Sequence, residues 1–160
     1  MAQVIIFTND NGGVSVCVPT GELDIQVVKA KDTPSYSIIV QDSELPQADN
    51  DFFNAWELAN GVVTVNLGKA KEITKARLRV EREPLLAAQD VLYMRALEAG
   101  SDVSAIVAEK QRLRDVTSLV DSCTATLQLR QLTPSSTEVP ALPVVETPVV
   151  VVETSAEVTA

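Results

Sequence analysis

KARLRVEREPLLAAQDVLYMRALEAG, residues 75–100, reads as a long helix that is apolar on two sides rather than one. One seam runs Ile73, Val80, Ala87, Met94, and a second runs Leu78, Leu85, Leu92, Ala99. At about 100° per residue the seams stand roughly 140° apart around the helix. The helix is predicted from about Lys69 to Ala99, with Gly100 as its C-terminal cap. That is roughly 45 Å at about 1.5 Å per residue. Pro84 lies inside it, removes one backbone hydrogen bond and predicts a bend.

Working outward, "GSD" (100–102) is a tight connection, and Ser101 or Asp102 is predicted to cap a second helix. Val103, Ile106, Val107 and Leu113 give that helix its apolar face, so the two form an antiparallel helical hairpin. Residues 119–132 read as one or two further short helical pieces. One seam of the long helix can be covered by its hairpin partner. The other must meet the sheet region or a second subunit, and leucines seven apart suit a coiled-coil-like contact between copies. The expected self-association residues are Leu78, Leu85, Leu92, Val80 and Met94.

Residues 1–67 carry two Lys against nine Asp and Glu and are rich in strand signals. The run Gln3–Phe7, the turn cluster "NDNGG" (9–13) and "VSVCV" (14–18) predict a β-hairpin. A short helix is expected over 22–32 with Leu23, Val27 and Ala30 on its inner face, ended by Pro34. "YSIIV" (36–40) is a strand and 41–51 a polar loop. "FFNAWEL" (52–58), "NG" and "VVTVNL" (62–67) predict a second hairpin, with Trp56 plugging the core between sheet and helix. Residues 133–160 hold four prolines, four glutamates and no Lys or Arg. They read either as a linker or as an extended arm that adds a strand to a neighbour. In the second case Val144, Val145, Val149, Val150, Val151 and Val152 make the contact. The expected fold class is therefore α+β: a small antiparallel β domain (1–67), a long-helix hairpin (68–132) and an extended Pro/Val-rich C-terminal arm (133–160).

Composition narrows the function. A net charge of −9 argues against nucleic acid and against anionic membrane surfaces as partners. The N-terminus lacks a basic region followed by an apolar run, so no signal peptide is expected. No stretch reaches the roughly 18 apolar residues of a membrane span. The chain has no histidine, and neither Cys17 nor Cys123 has a companion at metal-binding spacing. No cofactor, metal or catalytic residue is assigned, and no disulfide is expected. Asp42, Glu44, Asp49 and Asp51 lack EF-hand spacing and read as a solvated acidic loop. The basic run from Lys69 to Arg82 reads as charge that balances the acidic domain. Asp90 and Glu98 read as partners of Arg77, Arg82, Arg95 or Arg114.

Several phrases resemble a recurrent type of bacteriophage protein from the tail and late-morphogenesis region. They are "ELP" (44–46), "DFFNAWEL" (51–58), "VVTVNLGKAKEITKARLR" (62–79), "REPLLAAQDVLYMRALEAG" (82–100) and "AEKQRLRDVT" (108–117). The resemblance covers about residues 44–117. It implies a tail-fibre-associated, tail-assembly-chaperone-like or other virion protein, and it carries no catalytic residues. On that basis the expected function is a non-enzymatic structural component of the virion, in the tail or its fibre attachment. It would assemble in the host cytoplasm, and its partners would be itself and other phage structural proteins. The alternatives are an assembly chaperone absent from the mature particle and a head decoration protein.

Overall fold

A computed structural model describes residues 2–143. The predicted arm contacts Val144, Val145, Val149, Val150, Val151 and Val152 lie outside the described residues. The fold is α+β. Its elements are β1 (Gln3–Thr8), β2 (Val14–Cys17), α1 (Ile25–Asp32), β3 (Ile38–Gln41), β4 (Trp56–Ala59), β5 (Val62–Val65), α2 (Leu67–Glu98), α3 (Ser104–Ser122) and α4 (Thr126–Gln131). Two 3-10 segments, Asp42–Glu44 and Gln47–Ala55, join β3 to β4.

The first sheet has the order β2-β1-β3, antiparallel throughout, with Ile6 opposite Val16 and Ile5 opposite Ile39. The β1–β2 turn closes because the Asn9 side-chain oxygen accepts from the backbone N–H of Asn11 (3.1 Å) and Gly13 (3.0 Å). The β4–β5 hairpin turns through Asn60 and Gly61, both at positive φ (53° and 82°), the backbone that an Asn-Gly turn supplies. Strand alternation sends Val4, Ile6 and Val14 to one face, where they meet Trp56 and Val63 of the second sheet.

The second core joins the sheet side to the helices. Phe52 and Ala55 pack with Ala70 and Leu78 of α2, Val120 of α3, Cys123, and Leu129 and Leu132 around α4. Residues before position 67 therefore complete the core of the helical region.

Several local expectations need correcting. Residues 52–55 are not strand: they end the second 3-10 segment, and β4 begins at Trp56. The reason is that Phe52 and Ala55 both face the helices, a spacing that strand alternation cannot supply. Trp56 stands between the two sheets rather than between sheet and helix, and its indole N–H donates to the Asp49 carbonyl (3.2 Å). In α1 the inner positions are Ile25 and Val28, half-buried, while Leu23, Val27 and Ala30 are exposed. The acidic loop is partly tied down, because Asp49 and Asp51 hold Arg130 of α4. Residues 119–122 belong to α3, which leaves α4 as the one further helix described before Pro143.

Candidate interaction surface

The helical hairpin begins at Asn66, whose side-chain oxygen accepts from the backbone N–H of Lys69 (3.0 Å) and caps α2. Thirty-two residues later the helix ends in a Schellman motif. Gly100 takes φ 63° and its N–H donates to the Leu97 carbonyl (3.1 Å), and the Ser101 N–H donates to Ala96 (2.8 Å). The N-cap residue of α3 is Val103, with no side-chain cap bond, rather than Ser101 or Asp102; the Asp102 carboxylate accepts from the backbone N–H of Ser104 (3.1 Å) beside it. At about 1.5 Å per residue α2 is about 48 Å long, and α3 about 28 Å.

Charge pairs fix the base of this hairpin. Lys75 Nζ lies 2.8 Å from the Asp121 carboxylate, and Lys71 donates to the Asp121 carbonyl (2.9 Å). Asp121 holds the Lys75 ammonium above its ordinary pKa, and Lys75 holds Asp121 below the usual carboxylate range. Arg77 donates to the carbonyls of Leu129 (3.0 Å) and Leu132 (2.8 Å), so it caps the C-terminus of α4. Lys69 pairs with Glu57 at 2.8 Å. Arg82 reaches across to the carbonyls of Leu113 (3.3 Å) and Arg114 (2.6 Å) in the middle of α3. Five of the six basic residues between Lys69 and Arg82 are thus engaged within the chain. Farther out, Lys110 of α3 binds Asp90 and lies 5.1 Å from the centre of the Tyr93 ring.

Gln128 was not singled out by the sequence, yet it organises the end of the helical region. Its side-chain oxygen accepts from the backbone N–H of Thr124 (2.8 Å) and Ala125 (3.2 Å) and from the Thr124 hydroxyl (3.1 Å). Its amide donates to the Pro140 carbonyl (2.9 Å). Arg112, paired with Glu109, donates to the Pro134 carbonyl (2.9 Å). Together they lay residues 134–140 along α3 and α4.

Burial changes sharply along the hairpin. Leu78 and Leu113 are fully buried, but between them, from Arg79 through Arg112, no residue is. Half-buried Arg82, Leu86, Gln89, Tyr93 and Ala96 form one line along α2, the side from which Arg82 reaches the α3 carbonyls and Tyr93 meets Lys110. Two helices touching along one line cannot enclose a side chain, so the distal arm has no interior of its own.

The predicted association residues divide accordingly. Leu78 is withdrawn from that set, since it is 0% exposed and part of the intrachain core. Val80 (71%), Leu85 (42%), Leu92 (45%) and Met94 (57%) are exposed, as are Val91, Leu97 and Val107, which the sequence reading did not assign to association. Of the charged pairings expected for Asp90, the partner found is Lys110 rather than an arginine.

Elsewhere a shallow cleft of about 300 Å³ lies between Val16, Asp42, Leu45, Gln47, Asn50, Phe53 and Trp56. Among the described residues no three Cys, Asp or Glu side chains are grouped to hold a metal ion, and no helix is long and apolar enough to cross a membrane. Cys17 and Cys123 are both free thiols, and burial pushes the Cys123 thiol up. No family model, curated protein or solved structure matches the chain.

Proposed function

We propose that this protein is a non-enzymatic structural component of a bacteriophage particle, placed in the tail or its fibre attachment, that works by association. The observation that carries the association is the distal hairpin, 34 residues from Arg79 through Arg112 without a buried side chain and with several large apolar ones exposed. Short helices in water draw most of their stability from packing an apolar face, so such an arm gains by acquiring a neighbour. The phage setting rests on the resemblance across residues 44–117. In this reading Val80, Leu85, Leu92 and Met94 make the self-association surface. The acidic sheet region docks on other virion subunits, and the valine-rich segment beyond Pro143 adds a second contact.

The same exposed arm favours a second reading, an assembly chaperone that holds tail subunits and leaves. Quantitative mass spectrometry of gradient-purified particles separates the two. A fixed copy number relative to the major capsid protein supports the structural component. Presence in infected-cell lysate with absence from particles overturns it in favour of the chaperone.

A further inference from the structure

We propose that Val139 and Pro140 are a releasable latch over the joint between α3 and α4, one that opens by local rather than global unfolding and uncovers Cys123 when it does. Neither the phage setting nor self-association is needed for it. Residues 134–140 cross the helical region without forming helix or strand. They are fixed at two ends that differ in strength. At the first end Pro134 is buried, and its carbonyl accepts from Arg112 (2.9 Å), a guanidinium that Glu109 grips at 2.6 and 2.7 Å. A turn backs this end: the Ser136 N–H donates to the Thr133 carbonyl (3.0 Å), and the Ser136 hydroxyl oxygen accepts from the Thr133 N–H (3.0 Å). At the second end Val139 is half-buried against the helical core, and the Pro140 carbonyl accepts one neutral bond, from the Gln128 amide (2.9 Å). Between the ends Ser135, Thr137 and Glu138 are exposed. A cleft of about 200 Å³ there separates Ser136 and Thr137 from Asp115, Ser118 and Leu119 of α3. Ala141, Leu142 and Pro143 are exposed, so the chain leaves the body directly after the latch.

Segments with few buried apolar contacts and few backbone hydrogen bonds open at a free energy well below that of the whole fold. Of residues 134–140 only Pro134 is buried outright, and it lies at the end that stays fixed. What the other end covers gives its release a consequence. Gln128, which holds Pro140, is itself 8% exposed. Its side-chain oxygen accepts from the N–H groups of Thr124 and Ala125, the connection between α3 and α4. Cys123 immediately precedes that connection, is 1% exposed, and belongs to the core against which Val139 packs. When Pro140 leaves, the buried Gln128 amide loses its acceptor and turns to water to replace it. That turn frees the Thr124 and Ala125 N–H groups and opens the seat beside Cys123. α4 in turn carries Arg130, which grips Asp49 and Asp51. A pull on the chain beyond Pro143 therefore reaches the α3–α4 joint first and the 3-10 segment before β4 next.

The test is alkylation of Cys123 by iodoacetamide in the full chain carrying Cys17→Ser, which leaves a single thiol. Cys123 should react at a rate that low urea hardly changes, the mark of an opening that exposes little surface. Gln128→Glu, ionised in mildly alkaline buffer, keeps an oxygen for Thr124 and Ala125 but has no N–H for Pro140. It should raise the rate about tenfold with little change in the melting of the helix signal. Val139→Ala should do the same through lost packing. Leu78→Ala weakens the whole fold and should leave the rate without urea unchanged. A rate that climbs steeply with the first additions of urea, and that Leu78→Ala accelerates, means that Cys123 is reached only by global unfolding and overturns the latch. So does a rate indifferent to both latch substitutions in proteins that remain folded. Should either variant lose its helix signal, amide exchange in the unaltered chain decides without a substitution. Thr124 and Ala125 exchanging through an opening insensitive to low urea, while Val120 exchanges only on global unfolding, supports the latch; all three exchanging together overturns it.

Discussion

Arg130 of α4 holds Asp51 across the chain, Nε to Oδ2 at 2.6 Å, and thereby ties the 3-10 segment before β4 to the helical region. The same guanidinium binds Asp49 (3.1 Å) and the Ala48 carbonyl, and lies 6.0 Å from the Phe52 ring centre. Asp51 is well exposed, which limits the Coulomb share, while the contact to a backbone carbonyl adds a hydrogen bond. Arg130→Ala should cost on the order of 1 kcal/mol. Urea unfolding should show a lower midpoint with an unchanged slope; an unchanged midpoint would show that the clamp is energetically silent.

The two halves of α2 should respond oppositely to truncation. Leu78 is fully enclosed by Phe52, Ala55, Val120 and their neighbours, so Leu78→Ala should cost about 2–5 kcal/mol. Leu92, on the arm and nearly half exposed, should cost less than about 1 kcal/mol in dilute protein. If Leu92→Ala destabilises as much as Leu78→Ala even in dilute solution, the arm is packed within the monomer and association is not needed to explain it.

Gly100 offers a cleaner case. A Cβ there meets nothing within 4 Å, so Gly100→Ala tests backbone conformation alone at φ 63°. Placing an L-residue in the left-handed region should cost about 1–2 kcal/mol. The loss should appear as a lower melting temperature, and faster amide exchange should be confined to the last turn of α2. Exchange that accelerates equally in the sheets would refute a local origin.

What the sequence made legible was chiefly local. Gly100 as the end of α2, Asn60-Gly61 as a hairpin turn and the antiparallel hairpin itself depend on backbone preferences written within a few residues. Which face of α2 meets α3 was not legible, because the covering line is Arg82, Leu86, Gln89, Tyr93 and Ala96. Long polar side chains there bury their stems and reach carbonyls or a ring, which an apolar/polar pattern scores as surface. Arg82, bonded to two α3 carbonyls, is one such residue. Gln128 escaped for a related reason: its burial depends on partners at Thr124 and Pro140, supplied by the path of the chain after α4. Of the exposed apolar residues of α2, Val80 and Met94 were legible from the seven-residue repeat of their seam. Val91 was not, since it stands out only once α3 is known to occupy the opposite side.

Acid should loosen the base of the hairpin. Lys75 holds Asp121, Arg112 holds Glu109, and Lys69 holds Glu57 below their ordinary pKa values. In the unfolded chain these carboxyls bind protons more readily than in the folded one. Their contribution is therefore present above the ordinary carboxylate range and lost as pH falls through the depressed folded values. Lys75 acts with the opposite sign: its raised pKa gives stability that is present below the ordinary lysine range and lost as pH rises through the folded value. All of these groups are open to solvent, so each effect is modest and salt-sensitive. Melting temperature should fall from neutral pH to about pH 3. In Asp121→Asn it should start lower and fall less steeply, and in 1 M salt the difference between the two proteins should shrink. Parallel pH curves for the two proteins would mean that the Lys75–Asp121 pair contributes nothing to the acid response, leaving Glu109 and Glu57 to account for it.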